Sequence, residues 1–133
     1  MGVIDLVFPK KCFGCGKEGL YICPQCQKDL KVRKEICPVC MRFSFKGKTH
    51  PRCKKEDSLD GLVTLWPYEG AVRKAILALK YKFALDIAKE IAELASFEIK
   101  KRRVLPKGGY LFPIPLSRQR ENWRGFNQAG EIA

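Results

Sequence analysis

The sequence predicts an α/β chain led by a small, cysteine-rich module. All seven cysteines of the 133 residues lie within residues 12–53, at the two-residue spacing of metal-binding turns. After residue 58, apolar runs typical of strands alternate with amphipathic helical patterns, which is an α/β order. A charged and polar stretch at residues 54–58 separates the two compositions. We therefore expect a module over residues 1–57 and a second domain over residues 58–133.

Four short turns account for the cysteines. They are Cys12-x2-Cys15, Cys23-x2-Cys26, Cys37-x2-Cys40 and His50-x2-Cys53. Each turn places two ligands on one side of a tight loop, about 2.3 Å from a shared tetrahedral ion. Because seven is an odd number, we predict that His50, which repeats the spacing, supplies the eighth ligand. The alternatives are a three-cysteine site completed by water, or an unliganded Cys53.

The loop lengths favour pairing of the turns in chain order. Two sites, Cys12/Cys15/Cys23/Cys26 and Cys37/Cys40/His50/Cys53, then enclose short loops that cost less entropy to close. Interleaved pairing, with the first turn joined to the third, is the alternative. Four protein ligands leave no open position, so we expect two structural Zn²⁺ ions that fold the module. The same spacing also occurs in rubredoxin-like iron sites, so an electron carrier is a further, less favoured interpretation.

The second half predicts five elements. They are a strand at residues 62–66, helices at residues 70–82 and 84–101, a strand at residues 110–116, and a helix from about residue 126 to residue 133. The first helix pattern includes Phe83 at a core position. Two strands make only part of an open sheet, and the last helix has no stop signal, so we expect an incomplete domain.

The charge of the chain indicates an anionic partner. The formal charge is +12 at pH 7, which suits nucleic acid, phosphorylated metabolites or acidic protein surfaces. A Lys-rich surface that only maintains solubility is the alternative. The sequence shows no secretory signal and no run long enough for a membrane span, so we expect a cytoplasmic protein.

Three segments give the chain a family resemblance. The start LVFPKKCFGCG, the helix carrying Leu79-Lys80-Tyr81, and the segment PIPLSRQRENWRGFNQ occur in this order. Together they resemble the ComF competence-protein family, whose members join a zinc ribbon to a type I phosphoribosyltransferase-like domain. His50 stands where the family usually has cysteine. The resemblance implies a double zinc ribbon followed by the N-terminal part of a Rossmann-like domain.

The resemblance also implies a ligand for the second domain. Type I phosphoribosyltransferases bind phosphoribosyl pyrophosphate with Mg²⁺, and their pyrophosphate loop matches Pro115, Leu116, Ser117 and Arg118 here. Arg120 and Arg124 would add to an anion site, whereas the alternative is a solvated basic loop. The family's ribose-phosphate loop has no counterpart in these residues. We therefore expect a C-terminally truncated chain without transferase activity, and Mg²⁺ only in complete relatives.

Two main functions follow from these expectations. The first is a DNA-uptake accessory protein that works with other competence proteins and binds single-stranded DNA. Its candidate surface comprises Tyr21, Phe43 and Phe45 among Lys31, Arg33, Lys34, Arg42, Lys46 and Lys48. These aromatic residues would instead be structural if they packed beneath the metal turns. The second function is phosphoribosyl transfer, which would need the missing loop.

Overall fold

The computed structural model describes residues 9–81, 85–105 and 108–133. In these ranges the helices are α1 (Pro24–Lys28), α2 (Gly70–Tyr81), α3 (Leu85–Arg102), α4 (Arg118–Arg124) and α5 (Gln128–Ile132). Single 3-10 turns lie at Phe45–Gly47 and Pro51–Cys53. Cysteine-rich loops thus precede a pair of longer helices, which two short helices follow.

The helical predictions are confirmed with small shifts in their ends. Helix α2 ends the described range at Tyr81, so the predicted residue 82 and Phe83 lie outside the described residues. Helix α3 begins and ends one residue later than predicted, and α5 begins two residues later. The periodicity identified these helices because each buries one face. The buried residues of α2 are Ala75, Ala78 and Leu79, and those of α3 are Ile87, Ala88 and Ile91.

The predicted strands at residues 62–66 and 110–116 are not strands in the structure. The described ranges contain only three isolated β-bridges, Lys11–Glu18, Ile36–Phe43 and Lys48–Gly61. A strand needs a ladder of hydrogen bonds with a neighbour, but none of these bridges includes a residue of the two predicted runs. Gly61, just before the first run, bridges only Lys48. In the second run, Tyr110, Phe112 and Ile114 are at least 80% exposed. The Rossmann-like sheet is therefore not confirmed.

Helix α4 lies between the predicted strand at residues 110–116 and the predicted last helix, where no helix was predicted. The Ser117 hydroxyl accepts a hydrogen bond from the Arg120 N–H, and Gly125 ends the helix with φ 77°. A serine cap and a terminal glycine are the usual helix boundaries. The segment is only seven residues long and buries no residue, so its hydrophobic pattern gave no helical signal.

The cysteine-rich part and the helices share one core. Ile22, between the first two metal turns, packs with Leu79 of α2 and with Ile87 and Ile91 of α3. Phe13, Tyr21 and other half-buried side chains pack around this cluster. The first two metal turns therefore pack directly against the helix pair. This packing holds wherever the boundary between the two predicted domains is placed. No helix in the described ranges is long and apolar enough to cross a membrane.

Candidate metal centre

The first cluster joins the four thiols of Cys12, Cys15, Cys23 and Cys26. Their sulfur atoms all lie within 4.8 Å of one another, and Cys15 Sγ is 3.5 Å from Cys23 Sγ. Tetrahedral ligands at about 2.3 Å from a zinc ion are separated by about 3.8 Å, so these spacings suit one ion. The sulfurs therefore sit where a four-coordinate site requires them.

Local hydrogen bonds shape the first turn around the sulfurs. The Gly16 N–H donates to the Cys12 carbonyl at 2.8 Å, and the Cys23 N–H donates to Cys12 Sγ at 3.3 Å. Gly14 is needed for space, because a Cβ on this residue would lie 2.5 Å from Cys26 Sγ. Pro24 starts α1, whose single turn carries Cys26 back towards the other ligands.

The second cluster joins Cys37, Cys40, His50 and Cys53, again within 4.8 Å. Its first turn repeats the hydrogen bond of the first cluster, because the Met41 N–H donates to the Cys37 carbonyl at 2.9 Å. The 3-10 turn Pro51–Cys53 brings Cys53 next to His50, and the Cys53 N–H donates to the His50 carbonyl. Chain-order pairing of the turns is thus what the structure shows.

The two ring nitrogens of His50 have different neighbours. Nδ1 lies 3.4 Å from Cys40 Sγ, whereas Nε2 lies 3.1 Å from the Phe43 carbonyl oxygen. A metal-binding histidine typically donates its other N–H to a carbonyl or carboxylate, which fixes the ring. His50 therefore fits a ligand that binds through Nδ1 while its Nε2–H donates to Phe43.

One thiol in each cluster ionises easily. Burial opposes ionisation of Cys12, but hydrogen bonds from the backbone N–H groups of Cys23 and Cys15 outweigh it and lower the pKa to about 6. Cys37 behaves likewise: burial opposes ionisation, and the backbone N–H of Cys40 helps to lower the pKa of Cys37 to about 6. The thiolate, the form that binds metal, is thus stabilised before any metal arrives.

A second thiol in each cluster resists ionisation. Side-chain hydrogen bonds with Cys23 and Cys12 raise the pKa of Cys26 to about 12. Burial and the neighbouring Cys40 thiol raise the pKa of Cys53. A cluster of sulfurs without a cation cannot hold several negative charges, and a divalent ion removes this repulsion. The donor sets thus fit two structural zinc ions, with closed coordination that offers no position for a substrate.

Two ionic side chains of α3 hold the clusters in place. Glu90 accepts hydrogen bonds from the Tyr21 and Ile22 N–H groups at 3.0 and 2.6 Å. Arg102 donates to Glu35 at 2.9 Å and to the Thr64 carbonyl at 3.0 Å. Neither residue was predicted from the sequence to have this role. The only available signal was their place on the partly buried side of an amphipathic helix, where a charged residue usually needs a partner.

The proposed anion residues are only partly brought together. Pro115, Arg118 and Arg120 are exposed and Leu116 is half-buried, while Ser117 caps α4. Arg124 instead turns inward: its guanidinium lies 5.7 Å from the Tyr81 ring centroid and donates to Gln128 Oε1 at 2.9 Å. The packing of Arg124 is therefore separate from the exposed basic side chains of the segment.

Fold and site together define a double zinc ribbon in the N-terminal part of the chain. Residues 3–55 match the family described as the double zinc ribbon domain. The chain is 29% identical over 124 residues to the competence protein ComFC of Bacillus subtilis (strain 168), an alignment that covers 84% of this chain and 50% of that protein. These findings confirm the predicted resemblance to the ComF family. The chain spans about half the length of this curated relative. No solved structure matches the chain.

Proposed function

We propose that this chain is a zinc-stabilised accessory protein of DNA uptake that binds single-stranded DNA through its second ribbon. The main support is that the side chains of Phe43 and Phe45, next to the second metal cluster, are 66% and 73% exposed. The similarity to a competence protein supports the pathway. Cysteines that lie in metal-binding clusters and form no disulfide suit a reducing, cytoplasmic compartment, where incoming DNA would be handled.

The aromatic pair has the chemistry that single strands require. Successive bases stack on aromatic rings regardless of sequence, and cations track the phosphates. Arg42 precedes Phe43, Lys46 and Lys48 follow Phe45, and all three cations are exposed. The Lys46 ammonium lies 5.7 Å from the Phe45 ring centroid, so charge and ring face the same space.

A basic groove continues this surface towards the end of α3. Its volume is about 720 Å³, and its cations include Lys46, Lys48 and Arg103, whereas its acidic residue Asp60 is paired with Lys54 at 2.9 Å. The groove therefore carries net positive charge beside the aromatic pair, as a path for a phosphate backbone would.

Tyr21 is excluded from the proposed surface. Its ring stacks on Phe13 with centroids 5.6 Å apart, and Lys10 lies over it at 5.6 Å. Its backbone N–H is bound by Glu90. Of the three aromatic residues that the sequence suggested, Tyr21 thus has a structural role.

The test measures binding of a labelled oligothymidylate by fluorescence anisotropy. We expect Phe43→Ala and Phe45→Ala each to weaken binding by about 1–3 kcal/mol, or about 5- to 150-fold in Kd. Phe97→Ala is the matched control, because Phe97 is 67% exposed on α3. Affinity should fall with added salt, and a duplex should bind more weakly because its bases cannot stack on the rings. Absence of binding by the unmodified protein would refute the proposal.

A phosphoribosyl ligand is the second candidate. Its support is the segment Ser117 to Arg120, in which Arg118 and Arg120 are both exposed beside the cap of α4. Titration with phosphoribosyl pyrophosphate and Mg²⁺ in a calorimeter tests it. Binding that Arg118→Ala abolishes would favour this candidate, and no heat would reject it for this chain.

A further inference from the structure

A second groove lies beside the linker that joins the two metal clusters. It has a volume of about 640 Å³ and runs between the linker that joins the two clusters and the segment before α2. One wall carries Lys31, Arg33 and Lys34, and the other carries Trp66 and Tyr68. We propose that this groove binds single-stranded DNA. One base stacks against Trp66 and Tyr68, and Lys31, Arg33 and Lys34 bind the phosphates of the strand. The inference rests on the proposed function and extends its contact surface.

Charge determines which class of ligand fits. Lys31, Arg33 and Lys34 are exposed, and Glu69 is the one acidic residue among those that line the groove. Three cations opposed by one carboxylate attract a polyanion. An acidic protein segment would satisfy the charges, but it would leave the indole of Trp66 and the phenol of Tyr68 without a specific partner. A nucleobase has a π face for these rings, so single-stranded nucleic acid uses both walls.

The groove is built before any ligand arrives. Arg102 donates to Glu35 at 2.9 Å and to the Thr64 carbonyl at 3.0 Å. Glu35 directly follows the cationic wall, and Thr64 lines the aromatic wall. The Arg102 side chain is only 12% exposed, so this link between the walls is shielded from water. A fixed width lowers the entropy cost of binding.

The groove also lies next to Phe43. Ile36, which lines the groove, forms a β-bridge with Phe43, and the Ser44 N–H donates to the Glu35 carbonyl at 3.1 Å. Bridge partners lie about 4.5–5.5 Å apart between their Cα atoms. The two aromatic sites are therefore neighbours on one edge of the ribbon, and one strand of DNA can contact both.

Tryptophan fluorescence tests the groove without altering it. The chain has two tryptophans, so Trp123→Phe leaves Trp66 as the only indole. We expect oligothymidylate to quench the emission of this variant, with the zinc content unchanged. Inorganic polyphosphate is the matched polyanion probe, and it should bind without quenching because it has no base to stack. Quenching by polyphosphate to the same extent would overturn the stacking claim.

Affinity measurements complete the test. Trp66→Ala should weaken oligothymidylate binding by about 5- to 150-fold. Replacing Arg33 or Lys34 by Ala should each reduce the slope of log K against log salt by about 0.7, the value for one phosphate of a single strand. Lys28→Ala, an exposed cation of α1 outside the groove, should leave the slope unchanged.

The outcomes separate this inference from the function on which it rests. If the unmodified protein does not bind oligothymidylate, the proposed function fails, and the inference fails with it. If the protein binds, and Phe43→Ala weakens binding while the emission of Trp66 stays constant, the function stands and the groove is not a DNA site. Quenching together with loss of affinity in Trp66→Ala supports both.

Discussion

The carboxylate of Glu90 accepts a 2.6 Å hydrogen bond from the backbone N–H of Ile22, the residue that precedes the metal ligand Cys23. The other oxygen of the same carboxylate binds the Tyr21 N–H at 3.0 Å. Beside these bonds, the Ile22 side chain enters the core of the helix pair. Glu90 thus fixes the backbone directly before Cys23, where the second turn of the first metal site begins. The stability of the helices and that of the metal site are therefore linked.

Replacing Glu90 with Gln should destabilise the protein without removing a metal ligand. The amide has one acceptor oxygen, so one of two charge-assisted hydrogen bonds is lost and the other weakens. We expect the free energy of unfolding to fall by about 1–3 kcal/mol, measured by urea denaturation of the zinc-loaded protein. Glu93→Gln is the matched control, because Glu93 is an exposed residue of the same helix. Equal stability of the two variants would contradict a structural role for Glu90.

Arg102 makes the corresponding contact at the other end of α3. In Arg102→Met the apolar stem is kept, but the Glu35 carboxylate and the Thr64 carbonyl lose their donor. We expect a loss of about 1–3 kcal/mol in the free energy of unfolding, larger than for an exposed pair. Lys101→Met is the control, since its contact with Glu98 is long at 4.0 Å and its side chain is 66% exposed. A smaller effect of Arg102→Met than of Lys101→Met would refute this ranking.

The two metal sites could be predicted because their information is local. A turn of four residues determines the geometry of Cys12 and Cys15, and the same spacing identified His50 as the partner of Cys53. Helices α2 and α3 were predictable for a similar reason, since a periodic face needs no knowledge of its partner. The contacts that join these parts were not predictable, because Glu90 and Ile22 are 68 residues apart.

The strand predictions failed for a related reason. Residues 62–66 and 110–116 have the composition of strands, but composition only indicates a preference for extended backbone. Gly61 reaches one bridge, to Lys48, and the following residues line grooves instead of a sheet. Among the described residues, no neighbouring strand supplies the missing hydrogen bonds. Pairing is a long-range property, which a run of apolar residues does not encode.

Zinc affinity should rise with pH. Cys26 and Cys53 have raised pKa values and keep their protons near neutral pH, so zinc must displace these protons to bind. Cys12 and Cys37, with pKa values of about 6, are largely ionised there and become protonated only as the pH falls below that value. Competition with a chelator should therefore show tighter binding at about pH 8 than at about pH 6, with proton uptake on zinc release. Affinity independent of pH would contradict thiolate ligation.

Removal of one ligand should separate the two sites. In His50→Ala the second site keeps three cysteines, and native mass spectrometry should show one tightly bound zinc ion where the unmodified protein holds two.

His50→Cys is the matched variant: it restores four ligands, so the second ion should return, although the hydrogen bond from Nε2 to the Phe43 carbonyl is lost. Because that bond holds the backbone carbonyl of Phe43, we expect His50→Cys to bind two zinc ions yet bind oligothymidylate less tightly. Two tightly held ions in His50→Ala would show that His50 is not a ligand, and iron in place of zinc would reopen the electron-carrier interpretation.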